Sequence, residues 1–378
     1  MRASSEQPLS HATGIAGTLA LMRQWVDAGE CMGGQIFVSR DGRAVADVAM
    51  GSSGPGRGSS TDDLGRLYCA VKPITACCLA KAVEAGEASF DDPVRRFLPE
   101  FSAGPRAAIT LRQLLSHTSG LPNSPIVDPY EHEFSDLVTV ACTRPLPLAS
   151  WYREPAYNLT YAWSILAAVA ERIYGLEFAD IVTEVISIPA GVPGLRMTSP
   201  DPARYVPCHR VRGGSFAVVP GPGNATLFRT LNPAHGGFGS ARDLGLLYAE
   251  LIRCAAGTGS LLGEASIREM TREHSDLDLG LGLGECHYGL GFFADMSKNV
   301  TGGNWSARSF GHAGQVGRHR VVHAFGDPEH QVAVAIRLFS VGAKNNWRFH
   351  KLGAVLWSDL DLGPGQGDSS GSSRRRHH

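Results

Sequence analysis

The chain has 378 residues, 43% hydrophobic and 19% charged, enough for one large domain or two packed ones. Lys and Arg number 35 against 36 Asp and Glu, a formal net charge of -1, so no global basic field draws in nucleic acid. No run of about 18 apolar residues occurs, so no membrane span is expected.

Residues 1–13 lack the apolar stretch of a secretory signal and read as a flexible N-terminus. Residues 14–29 read as an amphipathic helix. The apolar runs 35–38 and 44–49 are joined by Arg40-Asp41-Gly42-Arg43, and Asp-Gly between such runs predicts a hairpin. Residues 51–60 are Gly/Ser-rich and read as a loop. From Cys69 to Glu87 the apolar residues recur at helical spacing. Residues 91–101 read as a short helix and loop, and 110–117 as a helix capped by Thr110. Residues 161–174 are strongly helical, with Gly175 as the stop.

The last third changes character. Segments 308–312, 320–325 and 331–339 read as strands, and 349–357 as a closing helix. Strands at both ends around a helical middle predict an α+β fold, an α/β sandwich with an antiparallel sheet and an inserted helical domain. The expected division places the sheet domain at 14–68 and 225–360 and the helical domain at 69–224. Residues 361–378, Gly/Ser-rich and ending in Arg374-Arg375-Arg376-His377-His378, read as a disordered tail.

The eight cysteines stand at 31, 69, 77, 78, 142, 208, 254 and 286, with no C-x-x-C pair. Neither a disulfide framework nor a zinc site is expected, and His209 and His287 lack metal-site spacing partners. A reducing cytoplasm fits best.

One cysteine carries chemistry. Cys69-Ala70-Val71-Lys72 puts a thiol and an amine three residues apart, on one helix face. A nucleophile beside an amine that can take its proton is an acylation arrangement, and a helix N-terminus is where a thiol becomes a usable nucleophile.

Four segments together resemble the serine β-lactamase and penicillin-binding-protein superfamily, especially its class C β-lactamase and family VIII esterase branch. They are Cys69-x-x-Lys72, Leu114–Pro122 (LLSHTSGLP), Ala156-Tyr157-Asn158-Leu159, and Phe310-Gly311-His312-Ala313-Gly314. Phe90–Val94 and Gly236–Ser240 with Asp243 are similar too, and the resemblance spans roughly residues 20–358. It implies a β-lactamase/transpeptidase-like fold. It also implies Cys69 as nucleophile in place of Ser, Lys72 as its base or as a charge that positions the thiolate, Tyr157 as proton relay, and His312 either in support of that relay or only holding strand and substrate in place. The oxyanion hole falls on the backbone N–H groups of Cys69 and Gln315, with Ala313 and Gly314 letting substrate lie along the strand. Trp151, Tyr152 and Trp305 are candidates for pocket walls.

The sequence departs from the pattern in three places. The serine is a cysteine, whether natural or introduced. The residue two after Tyr157 is Leu159 rather than Asn, which leaves Tyr161 as an alternative tyrosine. His312 stands where β-lactamases carry Lys, which argues against β-lactam hydrolysis. His117 is read as supporting the fold.

A thioester reacts with amines relatively better than with water. The expected activity is therefore a transacylase that moves an acyl group from an ester or thioester to an amine or alcohol, without cofactor or metal. The resemblance includes ATP-independent amide-forming enzymes of antibiotic assembly. A hydrolase with the same residues, and a non-catalytic acyl-binding protein with an inert Cys69, stay open. The partners expected are small molecules, with no nucleic acid and no membrane; nothing in the sequence fixes the oligomeric state.

Overall fold

The computed structural model describes residues 14–121, 132–144, 146, 155–278, 285–298 and 301–363. The expected flexible N-terminus, Trp151, Tyr152 and most of the C-terminal tail lie outside them.

Helix α1 (Ala16–Asp27) leads into the predicted hairpin of β1 (Gly33–Arg40) and β2 (Arg43–Gly54). Asp41 and Gly42 form its turn at φ 52° and 74°, the two left-handed residues that the twist of a tight hairpin demands. The expected loop at 51–60 is instead strand. β2 runs on to Gly54 and turns into β3 (Arg57–Gly58), because the Ser52 hydroxyl bridges the carbonyls of Gly54 and Arg57. After β4 (Gly65–Arg66), a 3-10 turn at Tyr68–Val71 runs into α2 (Lys72–Glu84). The α-helix expected from Cys69 therefore starts three residues later.

The helical part continues with α3 (Leu111–Leu115), α4 (Phe134–Thr143), α5 (Tyr161–Tyr174) and the short α6 (Phe178–Ile181). Thr110 caps α3 in a capping box with Gln113. Residues 91–101 hold a 3-10 turn at Val94–Arg96 rather than an α-helix. The middle is not purely helical: β5 (His209–Arg212) and β6 (Ser215–Val218) form an unforeseen hairpin before α7 (Asn224–Arg229). The short β7 (Phe238–Gly239) pairs with β4, then α8 (Ala241–Ala255) and α9 (Glu264–Thr271) follow.

The rest builds the sheet: β8 (Ser275–Asp278), β9 (Glu285–Tyr288), β10 (Phe293–Ala294), β11 (Phe310–Val316), β12 (His319–Asp327) and β13 (Val332–Leu338). β14 (Ser340–Val341) adds to β5 in parallel, and α10 (Asn345–Asp359) ends the described chain. The described strands form a nine-stranded sheet in the order β3-β2-β1-β13-β12-β11-β10-β9-β8. Its ladders are antiparallel.

Side-chain size sorts the two faces. In β13, Val332, Val334, Ile336 and Leu338 enter one core, while Ala333 and Ala335 enter the other. The large side meets α1 and α10; the alanine side lets α8 lie close on β1, β12 and β13. α2 is buried along nearly its whole length and packs on α5, whose residues 161–170 are all buried. A helix apolar all round belongs at the centre, so the start of α2 is held between the helical core and the sheet.

Candidate active site

Cys69 lies on the 3-10 turn, where side chains three apart eclipse, so Cys69 and Lys72 share a face. Tyr68 takes φ 53°, a left-handed conformation that is costly for an aromatic residue. The Leu67 N–H donates to the Gly237 carbonyl at 3.0 Å, and the Ala70 N–H to Leu67 at 3.2 Å, which fixes the turn.

Lys72 is fully buried. Its amine donates to the Ala234 carbonyl at 2.6 Å and stands beside Cys69, whose charge acts on it. Burial pushes its pKa below the ordinary lysine value, opposed only in part by Cys69. Neutral amine is thereby favoured, the form that can accept a thiol proton. Ala234 is held in place by Asn232, whose side-chain oxygen accepts from the N–H groups of Ala234 and His235 at 3.2 and 3.0 Å. Sequence reading missed this loop; its Asn-Pro dipeptide was the available signal.

Tyr157, not Tyr161, meets the thiol. The Tyr157 hydroxyl stands beside Cys69, whose charge acts on it, and lies 3.5 Å from His312 Nε2. Burial, then the neighbouring Cys69 and Tyr288, push this phenol well above its ordinary pKa, so it holds its proton. Tyr161 opens α5 with its side chain in the helical core. Asn158 serves that helix start, its side-chain oxygen accepting from the N–H groups of Thr160 and Ala162. Leu159 is 41% exposed.

His312 on β11 is fully buried, and its ring stacks on Phe293 at 4.4 Å. Burial, reinforced by Lys72, pushes it well below the usual histidine pKa. A neutral, enclosed imidazole offers no positive charge to a substrate carboxylate.

Gly314 lies directly against the Leu67–Tyr68 turn, and the β11–β12 ladder shifts register between Gly314 and Gln315. Ala313 was expected, with Gly314, to let substrate lie along the strand. Its side chain instead sits in the core under α1 and α10, because alternate residues of a strand face opposite sides. Trp305 is also no pocket wall. It packs edge-on against Trp357 and Phe325 in that same core.

Two residues that the sequence did not place in the site, Tyr288 and His117, stand beside it. The Tyr288 hydroxyl lies 3.2 Å from His312 Nε2. His117 is buried at φ 60°, with its ring centre 4.4 Å from that of Tyr157 and 4.7 Å from that of Tyr288. Its Nδ1 accepts from the Asn158 N–H at 2.9 Å, so Nε2 carries the proton. Away from this site, His287 pairs with Glu273 and Asp276 at 2.6 and 2.9 Å, partners its sequence spacing did not announce.

Thiol, buried amine, phenol and imidazole thus converge from a helix start, a loop and the sheet. Among the described residues no helix is long and apolar enough to cross a membrane. The sequence matches the profile of the Beta-lactamase family over residues 19–350. It is 29% identical over 300 residues to esterase EstB of Burkholderia gladioli, covering 68% of this chain and 76% of that protein. It is 29% identical over 150 residues to monacolin J acid methylbutanoyltransferase of Aspergillus terreus, covering 34% and 36%. A penicillin-binding protein homologue from Caulobacter crescentus superposes with a TM-score of 0.80 at 22% identity, covering 93% of this chain and 99% of that one. EstCE1, described as a hydrolase with promiscuous acyltransferase activity, superposes at 0.76 with 17% identity, covering 92% and 98%. With a profile match over most of its length and the fold of these structures, the chain belongs to the Beta-lactamase family, within the superfamily of serine β-lactamases and penicillin-binding proteins.

Proposed function

We propose that this protein is a transacylase in which Cys69 takes an acyl group from an ester or thioester and an amine or alcohol then removes it. The observation that carries the reading is the placement of Lys72 and Tyr157 beside Cys69, which acts electrostatically on both. They give the thiol a base and a separate acid. Neutral Lys72 accepts the Cys69 proton as sulfur attacks the donor carbonyl. The oxyanion is met by the N–H groups of Cys69 and Gln315. The bond to the leaving group breaks, and that group takes a proton from Tyr157, which Lys72 replenishes. The acceptor then attacks the thioester, gives its proton to the same pair and releases Cys69.

Two relatives support acyl-group chemistry by their names, an esterase and a methylbutanoyltransferase. The cysteine supports transfer over hydrolysis, because aminolysis of a thioester outruns its hydrolysis. The neutral, enclosed His312 speaks against a carboxylate-bearing β-lactam as substrate. A role in specialised metabolism such as antibiotic assembly is part of the proposal. The resemblance to EstB favours a hydrolase as the second reading.

The test is intact-protein mass spectrometry after incubation with activated esters and thioesters, with peptide mapping. An adduct on Cys69, absent from Cys69→Ala and discharged faster by an amine than by water, supports transfer. Release of free acid alone, whatever amine is added, sinks transfer and leaves hydrolysis. An adduct on Cys69→Ser but none on the unaltered chain moves the acyl-binding reading to first place.

A further inference from the structure

His312 has one Nε2, and two phenols reach it. The Tyr288 hydroxyl lies at 3.2 Å and the Tyr157 hydroxyl at 3.5 Å. A neutral imidazole nitrogen either donates once or accepts once, so it serves one phenol well and not both. The ring has no freedom to turn between them. Phe293 stacks on it with 16° between the planes, and Nδ1 lies 2.9 Å from the Ala313 nitrogen and 3.0 Å from the Ala313 carbonyl oxygen, serving one of the two.

Tyr288 is the better placed of the two. It ends β9, is fully buried, and its ring is wedged edge-on against Phe293 at 5.6 Å and Tyr157 at 6.1 Å. It is therefore enclosed away from any substrate. Tyr157, half-buried, stands beside Cys69.

We infer that Tyr288 is a positioning residue for acyl transfer: by occupying Nε2 of His312 it leaves the Tyr157 hydroxyl directed at Cys69. The inference rests on the acyl-transfer reading of the site. Without the Tyr288 hydroxyl, Nε2 has only Tyr157 as phenolic partner and draws that hydroxyl off the sulfur. The proton for the leaving group is then misplaced, while substrate binding is untouched.

Tyr288→Phe tests this, since it keeps the packed ring and deletes one oxygen. The expected result is a kcat lowered about tenfold with KM within about twofold. The ¹⁵N signal of His312 Nε2 should move by several ppm. Because Tyr288 acts through Tyr157, Tyr288→Phe should cost nothing further in a Tyr157→Phe background. Unchanged kcat and an unmoved Nε2 signal in an enzyme that turns over would overturn the inference, as would fully additive losses. If the unaltered chain forms no adduct with any donor, the acyl-transfer reading fails and with it the role. The NMR shift then reports only whether the Tyr288–His312 bond exists. Should Tyr288→Phe not fold, 3-fluorotyrosine at 288, a stronger donor of the same shape, should move the Nε2 signal and kcat; no movement of either again overturns the inference.

Discussion

Gly314 presses its α-carbon against the Leu67 carbonyl: a Cβ there would meet that oxygen at 2.3 Å and the Tyr68 Cβ at 3.1 Å. The Cys69 turn and β11 thus approach as bare backbones, and a glycine is what the approach requires. Backbone cannot yield as a flexible side chain does.

Gly314→Ala is therefore expected to push β11 off the turn and separate the N–H groups of Cys69 and Gln315. Loss of one oxyanion donor costs about 10²–10³ in kcat. Single-turnover acylation of the variant should fall by that range, with overpacking of about 1–3 kcal/mol seen as a lowered Tm. Acylation at the original rate would show that the two backbones do not share a substrate oxygen.

Lys72 sets a pH dependence. Burial lowers its pKa in the folded chain, so it becomes a neutral base at a lower pH than a free lysine does. Acylation of Cys69 should rise as pH increases through that lowered value. Lys72→Met should abolish this limb and slow acylation by about 10²–10⁴. The check is adduct formation against pH for both forms; an identical limb in Lys72→Met assigns it elsewhere.

The two candidate tyrosines should separate cleanly. Tyr157→Phe removes the hydroxyl beside Cys69 and should lower turnover by about 10²-fold or more. Tyr161→Phe alters a residue of the α5 core and should change stability by about 1 kcal/mol while turnover stays within about twofold. Equal turnover losses would contradict the placement of Tyr157.

Acid should unfold the protein by way of its enclosed histidines. Burial holds His117, His235, His312 and His323 well below the usual pKa. The unfolded chain therefore binds more protons than the folded one between the ordinary value of about 6.5 and each folded value. Stability is fully present above about pH 6.5 and falls as pH drops through that window, each histidine adding up to about 1.4 kcal/mol per pH unit. Urea unfolding at stepped pH should show the slope. His323→Phe, on the face under α10, should make it shallower by one proton; an unchanged slope would mean that His323 does not stay neutral on folding.

Much of the architecture was legible because it is set locally. The 161–174 helix matches α5 residue for residue, and Gly175 closes it at φ 67°, since apolar periodicity and a left-handed stop are both local signals. The 331–339 strand matches β13 within a residue at each end, because every second position had to be large or small for a different face. Local signals failed where distant chain decides the conformation. The β5–β6 hairpin is held by β14, more than a hundred residues away. Cys69 and Lys72 were found from the resemblance of their motif together with its spacing, since three residues along a helical turn fix a shared face. Whether Tyr157 or Tyr161 meets the thiol could not be so fixed, because a loop has no period. The sequence by itself determined most of the elements and the shared face of Cys69 and Lys72. Tertiary packing decided which phenol reaches the sulfur, that Ala313 faces away from it, and that Tyr288 and His117 stand beside it, because those relations depend on how a loop, a helix start and two sheet strands are pressed together.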